Sequence, residues 1–274
     1  MEEREPKLLV AVGRKGCGKT FSTRKMLTSY VQGNISKGIA PRRVLIFDVN
    51  DEFEDIKALA LKDVALFSMH PKIEIRRIRP FNKDGRPMGI NEMQETLFKI
   101  VNNFRGGMLL LEDLNGYVGD YIPQDLIGKI VRARHADLDI ITHFQSIGRI
   151  SPKIWQNVNA IRFHKNTDSV LKHSKKFDNF SEMFLLVEAY VNSEYHLGNE
   201  RIQVWVDTEN EKIKIPKENI AKFEKIVELY LMENHKRILS PLLNKNIFFK
   251  NNKPLTMQEV LKIKKAEMLK YYLD

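Results

Sequence analysis

Apolar residues along this chain alternate between two patterns. Short runs dominated by adjacent apolar or β-branched residues, at Leu8 to Val12, Val44 to Asp48, Ile73 to Ile78, Met108 to Leu111, Asp139 to Thr142 and Ala160 to Phe163, predict β-strands. Between them, Lys19 to Val31, Asn91 to Asn103, Gln124 to His135 and Phe180 to Val191 repeat apolar residues at helical spacing. In Gln124 to His135 the apolar face is Leu126, Ile127, Ile130 and Val131. Strand and helix signals in alternation predict a three-layer α/β domain around a mostly parallel sheet. Arg201 to Val206 and Lys212 to Ile215 flank the polar Asp207-Thr208-Glu209-Asn210 and read as a terminal hairpin.

The pattern changes after residue 215. A helix is expected from Lys217 to Lys236, then a polar stretch around Asn244 to Pro254, then a second helix opened by the capping box Thr256-x-x-Glu259, with Leu261, Met268 and Leu269 on its apolar face. The expected division is therefore 1–215 as the α/β domain and 216–274 as a helical extension. The extension either packs on its own domain or docks a neighbouring subunit, a partner protein or nucleic acid.

Composition narrows the class. A chain of 274 residues with 43% hydrophobic and 29% charged residues is that of a globular domain with a full core. No apolar stretch reaches the length of a membrane span, and the acidic start Met1-Glu2-Glu3-Arg4-Glu5 is unlike a signal peptide, so a cytoplasmic location is expected. The single cysteine, Cys17, rules out an internal disulfide, and the seven histidines show no zinc-ligand spacing. A net charge of +10 suits a polyanionic partner such as DNA or RNA, although the basic residues are dispersed.

The chemistry is concentrated just after the first strand. Gly13-Arg14-Lys15-Gly16-Cys17-Gly18-Lys19-Thr20 has the spacing of a phosphate-binding P-loop. Glycines let backbone N–H groups close around phosphates, Lys19 reaches the β and γ phosphates, and the Thr20 hydroxyl coordinates Mg²⁺. The helix that starts there adds its N-terminal dipole. Further on, Met108-Leu109-Leu110-Leu111-Glu112-Asp113 is an apolar strand ending in two carboxylates, the form of a Walker B motif. Glu112 is the candidate for the Mg²⁺ shell, beside Thr20, and Asp113 for polarising the attacking water.

With these motifs the chain resembles the HerA/FtsK superfamily of ring-forming DNA-pumping ATPases, which includes viral genome-packaging ATPases and, as the alternative reading, conjugation- and segregation-type DNA pumps. The resemblance is also carried by Val44-Leu45-Ile46-Phe47-Asp48-Val49-Asn50-Asp51-Glu52-Phe53, an apolar strand followed by an Asp and a Glu-aromatic pair. A last segment runs from Arg132-Ala133-Arg134-His135 through Ile140-Ile141-Thr142-His143-Phe144-Gln145-Ser146 to Ser151-Pro152-Lys153-Ile154. Order and spacing agree over about residues 6 to 166. The resemblance implies a RecA-like fold, ATP and Mg²⁺ as cofactors, a hexameric or pentameric ring, and double-stranded DNA threaded through it. It further implies that Gln145 senses the γ-phosphate and that an arginine acts across the subunit boundary, with Arg134 first and Arg132 and Arg149 as alternatives. A portal, capsid or membrane partner would follow from a packaging role.

Two departures stand out. The family order at the Walker B strand is Asp then Glu, whereas here Glu112 precedes Asp113, which puts the shorter acid at the catalytic position. Thr142 and Gln145 are separated by His143-Phe144 where many relatives have Thr and Gln adjacent, leaving open which one faces phosphate. The competing classes share only the P-loop. A small-molecule kinase does not require the Asp48 to Glu52 segment, and a GTPase-type switch lacks its guanine-reading motif, Asn82-Lys83-Asp84-Gly85 being a near miss.

Overall fold

The computed structural model of the chain describes residues 5–82, 84–114, 128, 130, 136–177, 180–244, 249–250 and 253–273. The element order opens with β1 (Leu8–Val12), α1 (Lys19–Gln32), β2 (Arg43–Phe47), α2 (Val64–Met69), β3 (Ile75–Ile78), α3 (Ile90–Asn103), β4 (Gly107–Leu111) and β5 (Leu138–Phe144). It continues with α4 (Pro152–Trp155), β6 (Ala160–Phe163), α5 (Ser181–His196), β7 (Val204–Asp207) and β8 (Lys212–Lys214). One sheet takes all of these strands in the order β3-β2-β4-β5-β1-β6-β7-β8. Strands β1 to β6 run parallel, while β7 pairs antiparallel with both β6 and β8.

Successive side chains on a strand face opposite sides of a sheet, so a strand of unbroken apolar residues feeds two cores. Val10 and Val12 join Phe47, Leu111 and Phe144 on one face, with α3 and α5 laid over them. Ala11, Val44, Ile46, Leu110 and Ile141 form the other face with Leu27 of α1. The result is the expected α/β arrangement of helix layers on both sides of a mostly parallel sheet. The strands Leu8–Val12 and Ala160–Phe163 coincide with their sequence-based bounds. Strand β5 runs two residues past the expected Thr142, which places His143 and Phe144 within the strand and Gln145 at its end. The expected helix Gln124 to His135 lies outside the described residues except for Gly128 and Ile130, both helical.

Among the described residues of the C-terminal part, the expected helix Lys217 to Lys236 is corrected to two helices, α6 (Ile220–Glu233) and α7 (His235–Asn244), with a break at Asn234. At the break Asn234 leaves helical backbone (ψ 17°) and donates its N–H to Tyr230 O. A two-residue pair, β9 (Phe249–Lys250) and β10 (Lys253–Pro254), precedes α8 (Met257–Tyr272), whose capping box forms as expected. Phe223, Val227 and Leu231 of α6 and Val260, Met268 and Tyr272 of α8 are buried in the same core as α5. The Tyr190 and Phe223 rings meet edge-on at 5.8 Å. Both Tyr230 and Tyr272 donate their hydroxyls to Glu182 at the start of α5. No helix among the described residues is long and apolar enough to cross a membrane.

The two sheet edges are each met by another segment. At β8, Ile213 bridges to Leu273 beyond α8, and Lys212 Nζ donates to Leu273 O at 3.1 Å. At β3, Leu59 N–H donates to Arg77 O (2.7 Å) and Arg77 N–H to Lys57 O (3.2 Å).

Because the extension shares the core of the sheet, Phe223→Ala is expected to cost about 3–5 kcal/mol and to lower the midpoint of one cooperative unfolding transition. Chemical denaturation followed by far-UV dichroism and by tryptophan emission checks this, and a separate early transition for the extension would contradict it.

Candidate nucleotide site

The P-loop is fastened at the carboxyl ends of three adjacent strands. Gly13 N–H donates to Phe144 O at the end of β5 (3.1 Å), Arg14 N–H to Lys165 O beyond β6 (2.8 Å), and His164 N–H to Val12 O (2.9 Å). Glycine is required at Gly13 by space, since a Cβ there would stand 2.6 Å from His164 Cβ and 2.8 Å from Cys17 Sγ. At Gly16 (φ 78°) and Gly18 (φ 85°) it is required by the left-handed backbone that turns the loop into α1.

Lys19 at the start of α1 folds back over the loop and donates to Gly13 O and Arg14 O. Burial lowers its pKa, opposed by the charges of Asp113 and Glu52. Thr20 Oγ1 donates to Glu52 Oε2 at 2.6 Å. Glu52 reaches that point because the buried Asp48 at the end of β2 caps the loop: its carboxylate accepts from Glu52 N–H (2.9 Å) and Phe53 N–H (3.2 Å). Arg77 of β3 holds the other side of Asp48 at 2.7 Å and also pairs with Asp51. From α1, Arg24 pairs with Asp55 at 2.7 Å and lies over the Phe53 ring. The aspartate that ends β2 is thus spent on shaping the loop, and the glutamate is delivered to the P-loop.

Glu112 and Asp113 follow β4 directly, and they differ. Glu112 is buried, and burial, with Glu52 and Asp48 beside it, pushes its carboxyl well above the usual carboxylate range. Its Oε2 has no hydrogen-bond partner. Asp113 is partly exposed, takes a left-handed backbone (φ 42°), and accepts from Gln145 Nε2 at 2.9 Å. Gln145 is exposed at the end of β5, whereas Thr142 is buried with its hydroxyl unpaired, so Gln145 is the one that faces the cleft.

A layer of buried polar residues lies under the loop. Arg162 of β6 donates to Thr23 Oγ1 and to Lys19 O, and Thr23 Oγ1 is 2.8 Å from His143 Nε2. His164 Nδ1 meets Cys17 O at 3.2 Å. Burial, then the charges of Arg162 and Lys19, depresses both imidazoles, His164 to about 3 and His143 well below the ordinary value, so both are neutral. Burial raises the pKa of the Cys17 thiol, opposed by the charge of Lys19.

A cleft of about 650 Å³ gathers Lys15, Gly16, Gly18, Lys19, Thr20, Asn50, Glu52, Glu112, Asp113 and Gln145 with Phe21, His143, Phe144 and Arg201. Of the residues singled out from sequence, the structure therefore brings Lys15, Gly16, Gly18, Lys19, Thr20, Glu112, Asp113 and Gln145 together. Gly13 and Cys17 lie beneath, and Arg14 is turned outward, donating to the Tyr195 hydroxyl of α5. Arg132 and Arg134 lie outside the described residues, and Arg149 is exposed on the turn after β5. The sequence motifs gave no role to Glu52, Arg162, Phe21 or Arg201. Glu52 was present in the Asp48 to Phe53 stretch, and nothing local marked the other three.

A P-loop at the end of a central parallel strand, facing an acidic strand terminus and a glutamine-ended neighbour, defines the P-loop NTPase fold. No protein-family model matches the chain, and no curated protein matches its sequence. Among solved structures it is similar to the genome packaging NTPase B204 from Sulfolobus turreted icosahedral virus 2 in complex with AMP, with TM-score 0.52 and 16% identity over 78% of this chain and 99% of that chain. The same protein in complex with ATP-gammaS gives TM-score 0.49 and 15% identity over 77% of this chain and 97% of that chain. The cytoplasmic domain of EssC gives 0.40 and 15%, covering 61% of this chain and 33% of that one. The chain has the fold of the viral packaging NTPase, and at the level of fold this agrees with the HerA/FtsK resemblance of its motifs.

Two neutral buried histidines fix the sign of a pH effect. Their folded pKa values lie below the unfolded value near 6.5, so the unfolded chain takes up protons that the folded chain does not, and stability falls as pH drops below about 6.5. Without nucleotide, His164→Asn is expected to flatten the acid side of a plot of melting temperature against pH. An unchanged acid slope would contradict this account.

Proposed function

We propose that the chain is an ATP hydrolase that drives DNA, double-stranded, through a ring of its own copies, in the manner of viral or mobile-element genome-packaging ATPases. The observation that carries this is the convergence of Lys19 and Thr20 with Glu52, Glu112, Asp113 and Gln145 in one cleft. Similarity to the fold of the packaging NTPase supports the choice of motor over kinase or switch. A net charge of +10 supports a polyanionic substrate.

In this reading the P-loop N–H groups and Lys19 hold the β and γ phosphates. The Thr20 hydroxyl and the Glu112 carboxylate, whose Oε2 is orphaned and buried, are hard oxygen donors suited to Mg²⁺, with Glu52 next to them. When bound, Mg²⁺ neutralises charge developing on the phosphate oxygens. Asp113 orients and polarises the attacking water, and Gln145, bonded to Asp113, reports whether a γ-phosphate competes for its amide. An arginine from the adjoining subunit completes the site, with Arg134 the first assignment and Arg132 and Arg149 the alternatives. Arg149 is exposed, and no hydrogen bond or ion pair engages its side chain among the described residues. Residues 1–215 form the ATPase unit and 216–274 its helical extension. The protein works in the cytoplasm of a cell or host, alongside a portal, capsid or membrane partner.

Lys19→Ala is expected to abolish ATP hydrolysis while leaving the fold intact, as read by phosphate release and dichroism; full activity would reject the site. Turnover of the wild-type chain should rise on adding double-stranded DNA, with a particle mass of five or six copies in the same sample. A monomer whose hydrolysis ignores DNA would return the protein to the kinase or switch classes.

A further inference from the structure

The cleft is larger than a phosphate site needs, and its lining is mixed in chemistry. At about 650 Å³ it falls in the size range of pockets that enclose a whole small-molecule ligand. Its lining includes the acids Glu52, Glu112 and Asp113 and, besides the P-loop, Phe21 and Arg201. With the terminal phosphate and its metal at the P-loop and the acids, Phe21 and Arg201 are the lining groups left for the sugar and base.

Phe21 follows Thr20 on the first turn of α1, and the residue is 43% exposed. The Arg201 guanidinium lies 4.4 Å from the ring centroid, and the Lys25 ammonium lies 4.5 Å from it. Arg201 comes from the turn between α5 and β7, and its stem rests on Gly18, where a Cβ would approach Arg201 Cγ to 3.1 Å. No hydrogen bond or ion pair engages its guanidinium among the described residues. Packing alone therefore holds a flat cationic group over a flat ring in the lining of the P-loop cleft. A surface salt-bridge arginine would instead be turned to a carboxylate.

Resting on the nucleotide-binding reading above, we propose that Phe21 and Arg201 form a shelf on which the nucleobase stacks, and that this shelf accepts adenine and guanine alike. Rings and guanidinium planes attract the face of a base, which every base has. Base identity is written on the edges, which a stacked group does not touch.

Competition against a ribose-labelled fluorescent ATP analogue, using ATP, GTP and inorganic tripolyphosphate on the full chain, tests the shelf. ATP and GTP should compete alike. Phe21→Ala and Arg201→Ala should each weaken both about tenfold, the scale of one base stack, and leave tripolyphosphate unchanged. Phe21→Tyr, which keeps the ring, should bind as the wild type does and so separates stacking from damage to the fold. An equal loss for tripolyphosphate would make Arg201 a phosphate ligand and overturn the shelf, as would unchanged ATP affinity in both alanine variants. A strong preference for ATP over GTP would overturn its indifference to base. A wild-type chain that binds neither ATP nor tripolyphosphate would overturn the nucleotide reading itself, whereas one that binds tripolyphosphate as tightly as ATP would overturn the shelf alone.

Discussion

The site hangs on the backbone bonds that tie the P-loop to its flanking strands. Gly13 and Arg14 donate to carbonyls at the ends of β5 and past β6, and Val12 accepts from His164. These bonds place the loop between the strand that ends in Gln145 and the strand that carries Arg162. Parallel pairing makes this possible, because it aligns the carboxyl ends of β1, β4, β5 and β6 along one rim. A side chain at Gly13 would collide with His164, so the anchoring and the absent Cβ are one requirement.

Charge beneath the loop is unbalanced. Arg162 is fully buried and has no ion pair among the described residues, its Nε has no partner, and burial lowers its pKa to about 10. Buried charge is costly without a counterion, and the neutral histidines beside it do not supply one. An anion held on the loop would, which couples phosphate binding to the stability of the layer below. On the opposite wall Glu112, Glu52 and Asp48 crowd together, with Arg77 shared between Asp48 and Asp51, and burial with this crowding holds the Glu112 carboxyl well above the usual carboxylate range. A divalent cation bound there would relieve that crowding.

What was legible in sequence was local. The P-loop, the strand before it and the Glu112-Asp113 terminus are contiguous patterns, and their order implies a common rim. Residues whose role depends on long-range packing were not legible. Arg201 meets Gly18 across most of the chain, and Arg162 sits in a strand whose neighbours are apolar, so nothing near either marks it. Glu52 was read as part of a motif, but its delivery to Thr20 depends on Asp48 being consumed by Arg77, a contact between separate strands. The helix break at Asn234 is not legible because Lys217 to Lys236 has unbroken helical periodicity, and α6 and α7 are separated by the cap at Asn234. The expected helix with Arg132 and Arg134 falls outside the described residues.

Both margins of the sheet are occupied, by the bridge from Leu273 to Ile213 and by the Lys57 and Leu59 contacts with Arg77. Strand addition is the route by which sheets join tenaciously, and among the described residues each margin of this sheet already carries a backbone partner. In the proposed ring, copies would then meet through side-chain surfaces, contacts that loosen and re-form without unzipping backbone pairs.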